Sequence, residues 1–202
     1  QRKRFVSGCT ERGIKDNEAQ NIFDLLARFA DYGFNKSHAA AYALISFQTA
    51  YLKTHHPLEF FAASMTLDIN NTDKLAIFQQ ELSRMDIKLY PPDINSSDVY
   101  FVTNQEGIKY ALGAIKNVGI ESMKDLVMER NKNGSFNSFD DFLGRVNSSI
   151  ANKKTLEALA CAGAFDSFDI KREHIFNQSN EIVKVLKDFK LKSNSNQGDI
   201  FG

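Results

Sequence analysis

Residues 32–57 read YGFNKSHAAAYALISFQTAYLKTHHP. Gly33 interrupts whatever helix precedes it, and Ser37 is placed to cap a new one. The spacing predicts that this helix runs to about Thr54, after which Pro57 suits the first turn of the next. Its centre, Ala39-Ala40-Ala41-Tyr42-Ala43-Leu44-Ile45, is apolar on nearly every side. A helix apolar all round is expected to be buried. The stretch therefore points to a helical assembly built around it.

The pattern on either side agrees. Upstream, Ile22, Leu25, Leu26 and Phe29 recur at helical spacing, with Asp16 or Asn17 as a candidate cap. Downstream, a helix from Pro57 carries Phe60, Phe61 and Met65. Another, capped by Thr72, carries Leu75, Phe78, Leu82 and Met85. Tyr90-Pro91-Pro92-Asp93 cannot continue a helix, because proline removes a donor and holds the backbone extended. A domain boundary is expected near there, after residue 86. A β-hairpin follows, Val99 to Val102 and Ile108 to Leu112, around a turn at Asn104-Gln105-Glu106-Gly107. Helices then resume: Ile120 to Arg130; one from Ser138, with Asp141 as a capping-box-like partner; and one from Asn152 to Gly163. A last helix holds Ile175, Phe176, Ile182, Val183, Leu186 and Phe189. Beyond Lys192, Ser193-Asn194-Ser195-Asn196 is expected to be a flexible linker. The fold class is mainly α with one short β-hairpin.

Composition narrows the function. The 202 residues hold 25 Lys plus Arg and 25 Asp plus Glu, for a formal net charge of zero. A free-standing DNA-binding module is usually basic, so any nucleic-acid surface here must be local. Cys9 and Cys161 form no ligand spacing, which argues against structural zinc, and two free thiols suit a reducing cytoplasm. No run of 18 or more apolar residues is present, so no membrane association is expected. The chain opens at Gln1 without Met, as an excised piece would, and terminal targeting signals carry no argument.

Three motifs bear chemistry. Lys36, Ser37 and His38 stand at a helix start, where unpaired N–H groups and the dipole favour an anion such as phosphate. The plainer alternative is a Ser37 cap, a solvated Lys36 and a His38 packed on a neighbour; on these features alone it is favoured, since most capped helix starts bind nothing. Second, Ile115-Lys116-Asn117-Val118-Gly119 ahead of a helix has the form of a hairpin that lays backbone N–H groups on a DNA phosphate, reading shape and not sequence. Asn117 stands where such hairpins carry their first glycine, and Asn is a common visitor to the left-handed region. Lys124 and Arg130 are candidate supporting charges, while Glu121, Asp125 and Glu129 weigh against strong binding. The alternative is that Gly119 merely permits a tight turn between helices. A second, weaker hairpin is placed at residues 161–165. Third, Gln197-Gly198-Asp199-Ile200-Phe201 sets two apolar residues in a polar tail.

These motifs, in this order, resemble the bacterial C-family replicative DNA polymerases. FNKSHAAAY resembles their fingers signature, AIKNVG, NKKTLEAL and AGAFD their helix-hairpin-helix region, and QGDIF their sliding-clamp peptide. The resemblance implies three parts: distal fingers at residues 1–86, a clamp-binding domain with a helix-hairpin-helix at 87–192, and a linker with the clamp peptide at 193–202. It implies nucleotide binding by Lys36, Ser37 and His38, with Arg2, Lys3 and Arg4 as an upstream basic stretch. It implies duplex DNA binding by Lys116, Asn117, Val118 and Gly119, and attachment to the sliding clamp (the beta subunit) by Gln197, Asp199, Ile200 and Phe201. The intact cytoplasmic enzyme would use primer-template DNA, deoxynucleoside triphosphates and Mg²⁺ held by palm carboxylates, and would meet other replicase subunits through further domains. No palm motif is visible; Asp140-Asp141 suits a helix start. The residues here are thus expected to bind substrates without catalysing, with no metal site and no cofactor of their own. The rival class is a non-enzymatic helix-hairpin-helix DNA-binding adaptor, which leaves the Lys36 to His38 cluster and its apolar helix without a role.

Overall fold

The computed structural model describes residues 1–31 and 36–195, without the side chains of Asp31, Lys36 and residues 189–195. Gly33 and the residues of the clamp-type peptide, Gln197, Asp199, Ile200 and Phe201, lie outside the described residues. The chain divides into two compact units, residues 1–54 and the remainder from His55.

The first unit holds α1 (Arg2–Thr10), α2 (Asp16–Asp31) and α3 (Lys36–His55). Helices α1 and α2 pack on each other, with the Phe5 and Phe23 rings 5.5 Å apart. Arg2 lies over the Phe23 ring and pairs with Asp24, so its charge is already engaged within the unit. Helix α3 is already formed at Lys36, two residues before the expected first helical residue, which puts Ser37 inside the helix and not at the cap. The expectation that α3 is buried does not hold. Tyr42, Leu44, Ile45, Phe47, Tyr51 and Leu52 are all exposed, and so are Leu25, Leu26 and Phe29 of α2. Among the unit's described hydrophobic residues only Val6 and Ala19 are buried. The physical reason is size: so short a unit has too little volume to enclose an all-round apolar helix.

The second unit begins with α4 (Pro57–Leu67) and α5 (Thr72–Arg84). Pro57 opens α4 as expected. The cap of α5 is Asn71, whose side chain accepts from the Lys74 N–H at 3.1 Å, so Thr72 is the first helical residue instead of the cap. A three-stranded sheet follows in the order β1-β3-β2, from β1 (Lys88–Tyr90), β2 (Val102–Thr103) and β3 (Gly107–Lys109). The expected hairpin is β2 with β3, shorter than anticipated and paired Val102 to Lys109 and Thr103 to Ile108. Strand β1 pairs parallel to β3, so closely that a Cβ at Gly107 would collide with the Lys88 carbonyl.

The prolines do not separate two cores. Phe61, Met65, Leu75 and Leu82, before Pro91, share one buried cluster with Phe101, Ile108 and Ala111, after it. Sheet and helices pack as one layer because the short strands can bury their apolar face only against α4 and α5. The larger cluster lies under α6 (Ile120–Asn133), α7 (Phe139–Arg145), α8 (Lys153–Ala162) and α9 (Arg172–Ser195). Tyr110 and Ile120 touch both clusters. Phe136, Phe139, Phe142 and Phe165 form its aromatic centre, with neighbouring rings 5.1–6.0 Å apart. Ser138 and Asn152 cap α7 and α8 as their types predict, accepting from the Asp141 and Thr155 N–H groups. Helix α9 continues through Ser195, so Ser193, Asn194 and Ser195 are helical where a linker was expected. No described helix is long and apolar enough to cross a membrane.

Candidate nucleic-acid interface

The hairpin at residues 115–119 connects a 3₁₀ turn at Leu112–Ala114 to α6. Ile115 is buried in the larger core and Val118 packs partly against it. Lys116 and Asn117 between these anchors, and Gly119 directly after them, are exposed. The turn closes with the Val118 N–H donating to the Ile115 carbonyl at 3.1 Å. Asn117 takes φ +71°, the left-handed conformation its side chain tolerates better than most. Gly119 is the N-cap of α6 at φ −81° and ψ 132°, and no side chain caps the helix there. A Cβ on Gly119 would meet only Ser122 Oγ, at 3.5 Å. Glycine is thus not required by backbone strain or by internal packing. Its place at an uncapped helix start leaves the first-turn N–H groups open to an approaching anion.

The charges sort differently from expectation. Arg130 is half-buried and donates to the carbonyls of Ile94 at 3.0 Å and Ser97 at 2.6 Å. It rivets the segment after the prolines to α6, and burial lowers its pKa. Lys124 pairs with Glu121 at 2.7 Å; that hydrogen bond raises its pKa and stabilises the charged form within α6. Neither is a free supporting cation. Lys154, which sequence patterning did not single out, lines an open groove with Lys116 and Asn117. The only signal for it was the Lys153-Lys154 pair directly after the Asn152 cap. Val118 anchors the hairpin from within and does not present itself to a ligand. Asp141 serves the fold: it accepts from the Asn137 N–H, which lowers its pKa, and pairs with Arg145.

The second hairpin follows α8. Gly163 takes φ +84° as its C-cap, Ala164 and Phe165 are buried, and the Ala164 carbonyl accepts from the Ile94 N–H at 2.8 Å. In the first unit, Ser37 and His38 lie in the opening turn of α3, and the His38 and Tyr42 rings are 4.4 Å apart. Among the described residues no three of His, Cys, Asp and Glu gather as a group that could hold a metal ion.

Residues 86–175 match the family described as the helix-hairpin-helix motif. The whole chain is 46% identical over 202 residues to the DNA polymerase III subunit alpha of Caulobacter vibrioides, covering 18% of that protein. It is 42% identical over 198 residues to that of Borreliella burgdorferi, covering 98% of the chain and 17% of the relative. It is 42% identical over 203 residues to that of Escherichia coli K12, again covering the whole chain and 18% of the relative. The chain therefore spans under a fifth of the length of these relatives. Along its whole length, and with an exposed hairpin at residues 115–119 in a mainly helical fold, the chain is similar to one helix-hairpin-helix-bearing segment of the DNA polymerase III alpha subunits.

Proposed function

We propose that the chain serves a replicative DNA polymerase by holding duplex DNA on the hairpin at residues 115–119. The observation that carries this reading is the pairing of an exposed Lys116–Asn117 turn with the uncapped start of α6 at Gly119. Backbone N–H groups there meet a phosphate oxygen, and Lys116 and Lys154 supply charge across the groove. Contacts of this kind position a duplex without reading its bases. In the intact subunit, Lys116→Gln and Lys154→Gln each remove one phosphate contact. Each then lowers the slope of log affinity against log salt by about 0.9. Unchanged slopes for both variants would show that the hairpin is only a structural turn.

Within the same reading, the intact enzyme extends a primer with deoxynucleoside triphosphates in the bacterial cytoplasm, with Mg²⁺ held by residues elsewhere in it. The start of α3 faces the triphosphate, with Lys36 and His38 as its basic residues and Ser37 as a hydroxyl donor. A charge-assisted hydrogen bond contributes about 1.5–3 kcal/mol. Lys36→Ala and His38→Ala in the intact polymerase then each lower kcat/KM for nucleotide by about ten-fold or more and leave clamp binding alone. Steady-state values within about two-fold of wild type for both would remove the assignment. Gln197, Asp199, Ile200 and Phe201 attach the enzyme to its sliding clamp.

A further inference from the structure

The two hairpins differ in what covers their glycines. Gly119 is open. Over Gly163 lies the guanidinium of Arg172, so close that a Cβ there would overlap it. Arg172 opens α9 and reaches back across the hairpin: Nε donates to Asp166 Oδ1 at 2.8 Å, Nη2 donates to Asp166 Oδ2, and Nη1 donates to the Cys161 carbonyl at 3.4 Å. Two parallel N–H groups on two carboxylate oxygens form the same fork that arginine makes on a phosphate. Both side chains are about half exposed, 52% for Arg172 and 50% for Asp166, so the fork is within reach of a ligand. The hydrogen bond from Arg172 holds the Asp166 carboxyl below its usual range, and the pair stays ionised at neutral pH.

Position supplies the second argument. Cys161 and Ala162, the residues directly before Gly163, line the same groove as Lys116, Asn117 and Lys154. A duplex backbone seated on Lys116 and Asn117 therefore has the Arg172 fork, which holds the Cys161 carbonyl, beside its groove. We propose that Asp166 is a built-in occupant of a second phosphate seat: its carboxylate holds the Arg172 fork that would otherwise grip a DNA backbone phosphate, so that this domain holds duplex DNA through one hairpin only. The proposal rests on the first hairpin being a phosphate contact. Exposed ion pairs contribute little to folding, so the pair can be broken without losing the fold.

The test is fluorescence anisotropy of a labelled duplex oligonucleotide with the intact subunit across a salt series. Asp166→Asn and Asp166→Ala each free the fork. Both are expected to tighten binding by about three- to ten-fold at low salt and to steepen the log–log salt slope by about 0.9. Arg172→Gln alone leaves affinity and slope at wild type, and adding it to Asp166→Asn cancels the gain. Two results overturn the proposal: unchanged or weaker binding by both Asp166 variants, or weaker binding by Arg172→Gln alone, which would place Arg172 on DNA already. If Lys116→Gln lowers the slope while the Asp166 variants change nothing, only this proposal fails. If Lys116→Gln also has no effect, the reading of the first hairpin fails with it.

Discussion

Phe142→Ala is expected to lower the unfolding free energy of the chain by about 3–5 kcal/mol. Phe142 is fully buried, with the rings of Phe136 and Phe165 at 5.3 and 5.1 Å and that of Phe139 stacked at 6.0 Å. Truncation removes the transfer energy of a large ring and leaves a cavity that three other rings cannot collapse to fill. It also removes edge-to-face contacts, each worth about 0.5–1.5 kcal/mol beyond buried area. The effect should reach the hairpin, because Ile115 anchors residues 115–119 in the same cluster. Chemical denaturation followed by circular dichroism measures it, with Met128→Ala as the control. Met128 is 63% exposed, and its truncation should stay within about 0.5 kcal/mol of wild type. A Phe142→Ala loss below about 1 kcal/mol would mean that the aromatic centre is not what holds α6 to α9 together.

The double substitution Ile200→Ala/Phe201→Ala should remove capture of the sliding clamp. Ile200 and Phe201 are two adjacent apolar residues in an otherwise polar stretch of sequence. Seating each in an apolar pocket on the clamp contributes roughly 1.5–3 kcal/mol. Losing both weakens binding by about a hundred-fold or more, enough to carry a micromolar contact out of range. In the proposed attachment Gln197 would add an amide hydrogen bond that sets orientation, and Asp199 a lesser polar contact. Titration of purified clamp with the chain and with the double variant checks this. Equal affinity for both, or no binding by either, would show that this tail is not the anchor.

Much of the fold is legible in local chemistry. Helical periodicity marks α2 and α5, proline marks the start of α4, and Ser138 and Asn152 mark two caps. Asn117 adopts the left-handed turn that its residue type permits. What local chemistry does not carry is partnership. Helix α3 has the pattern of a buried helix but lies exposed, because burial depends on neighbours that residues 1–54 do not supply. Tyr90-Pro91-Pro92 follows from the end of strand β1 without dividing the core, because Ile108 and Phe101 return to pack on Phe61. Strand β1 is only three residues long and pairs with a strand far along the chain, so no local alternation announces it. The site follows the same rule. The hairpin was readable from Asn117 and Gly119, but which cations are free was not: Arg130 and Lys124 are spent on the Ile94 and Ser97 carbonyls and on Glu121. Lys154 comes beside Lys116 only through the packing of α8.

The central claim is that the hairpin at residues 115–119 takes a DNA phosphate on its backbone, and Gly119→Val in the intact subunit tests it most directly. At φ −81° and ψ 132°, with Ser122 Oγ 3.5 Å from the new Cβ, Val fits the backbone, and a poorer cap costs about 1 kcal/mol of stability. The side chain does block close approach to the start of α6. Binding to two unrelated duplex sequences should therefore weaken about equally, by roughly ten-fold at low salt, while the unfolding transition is nearly kept. Wild-type affinity for both duplexes, or a loss confined to one sequence, would contradict the claim.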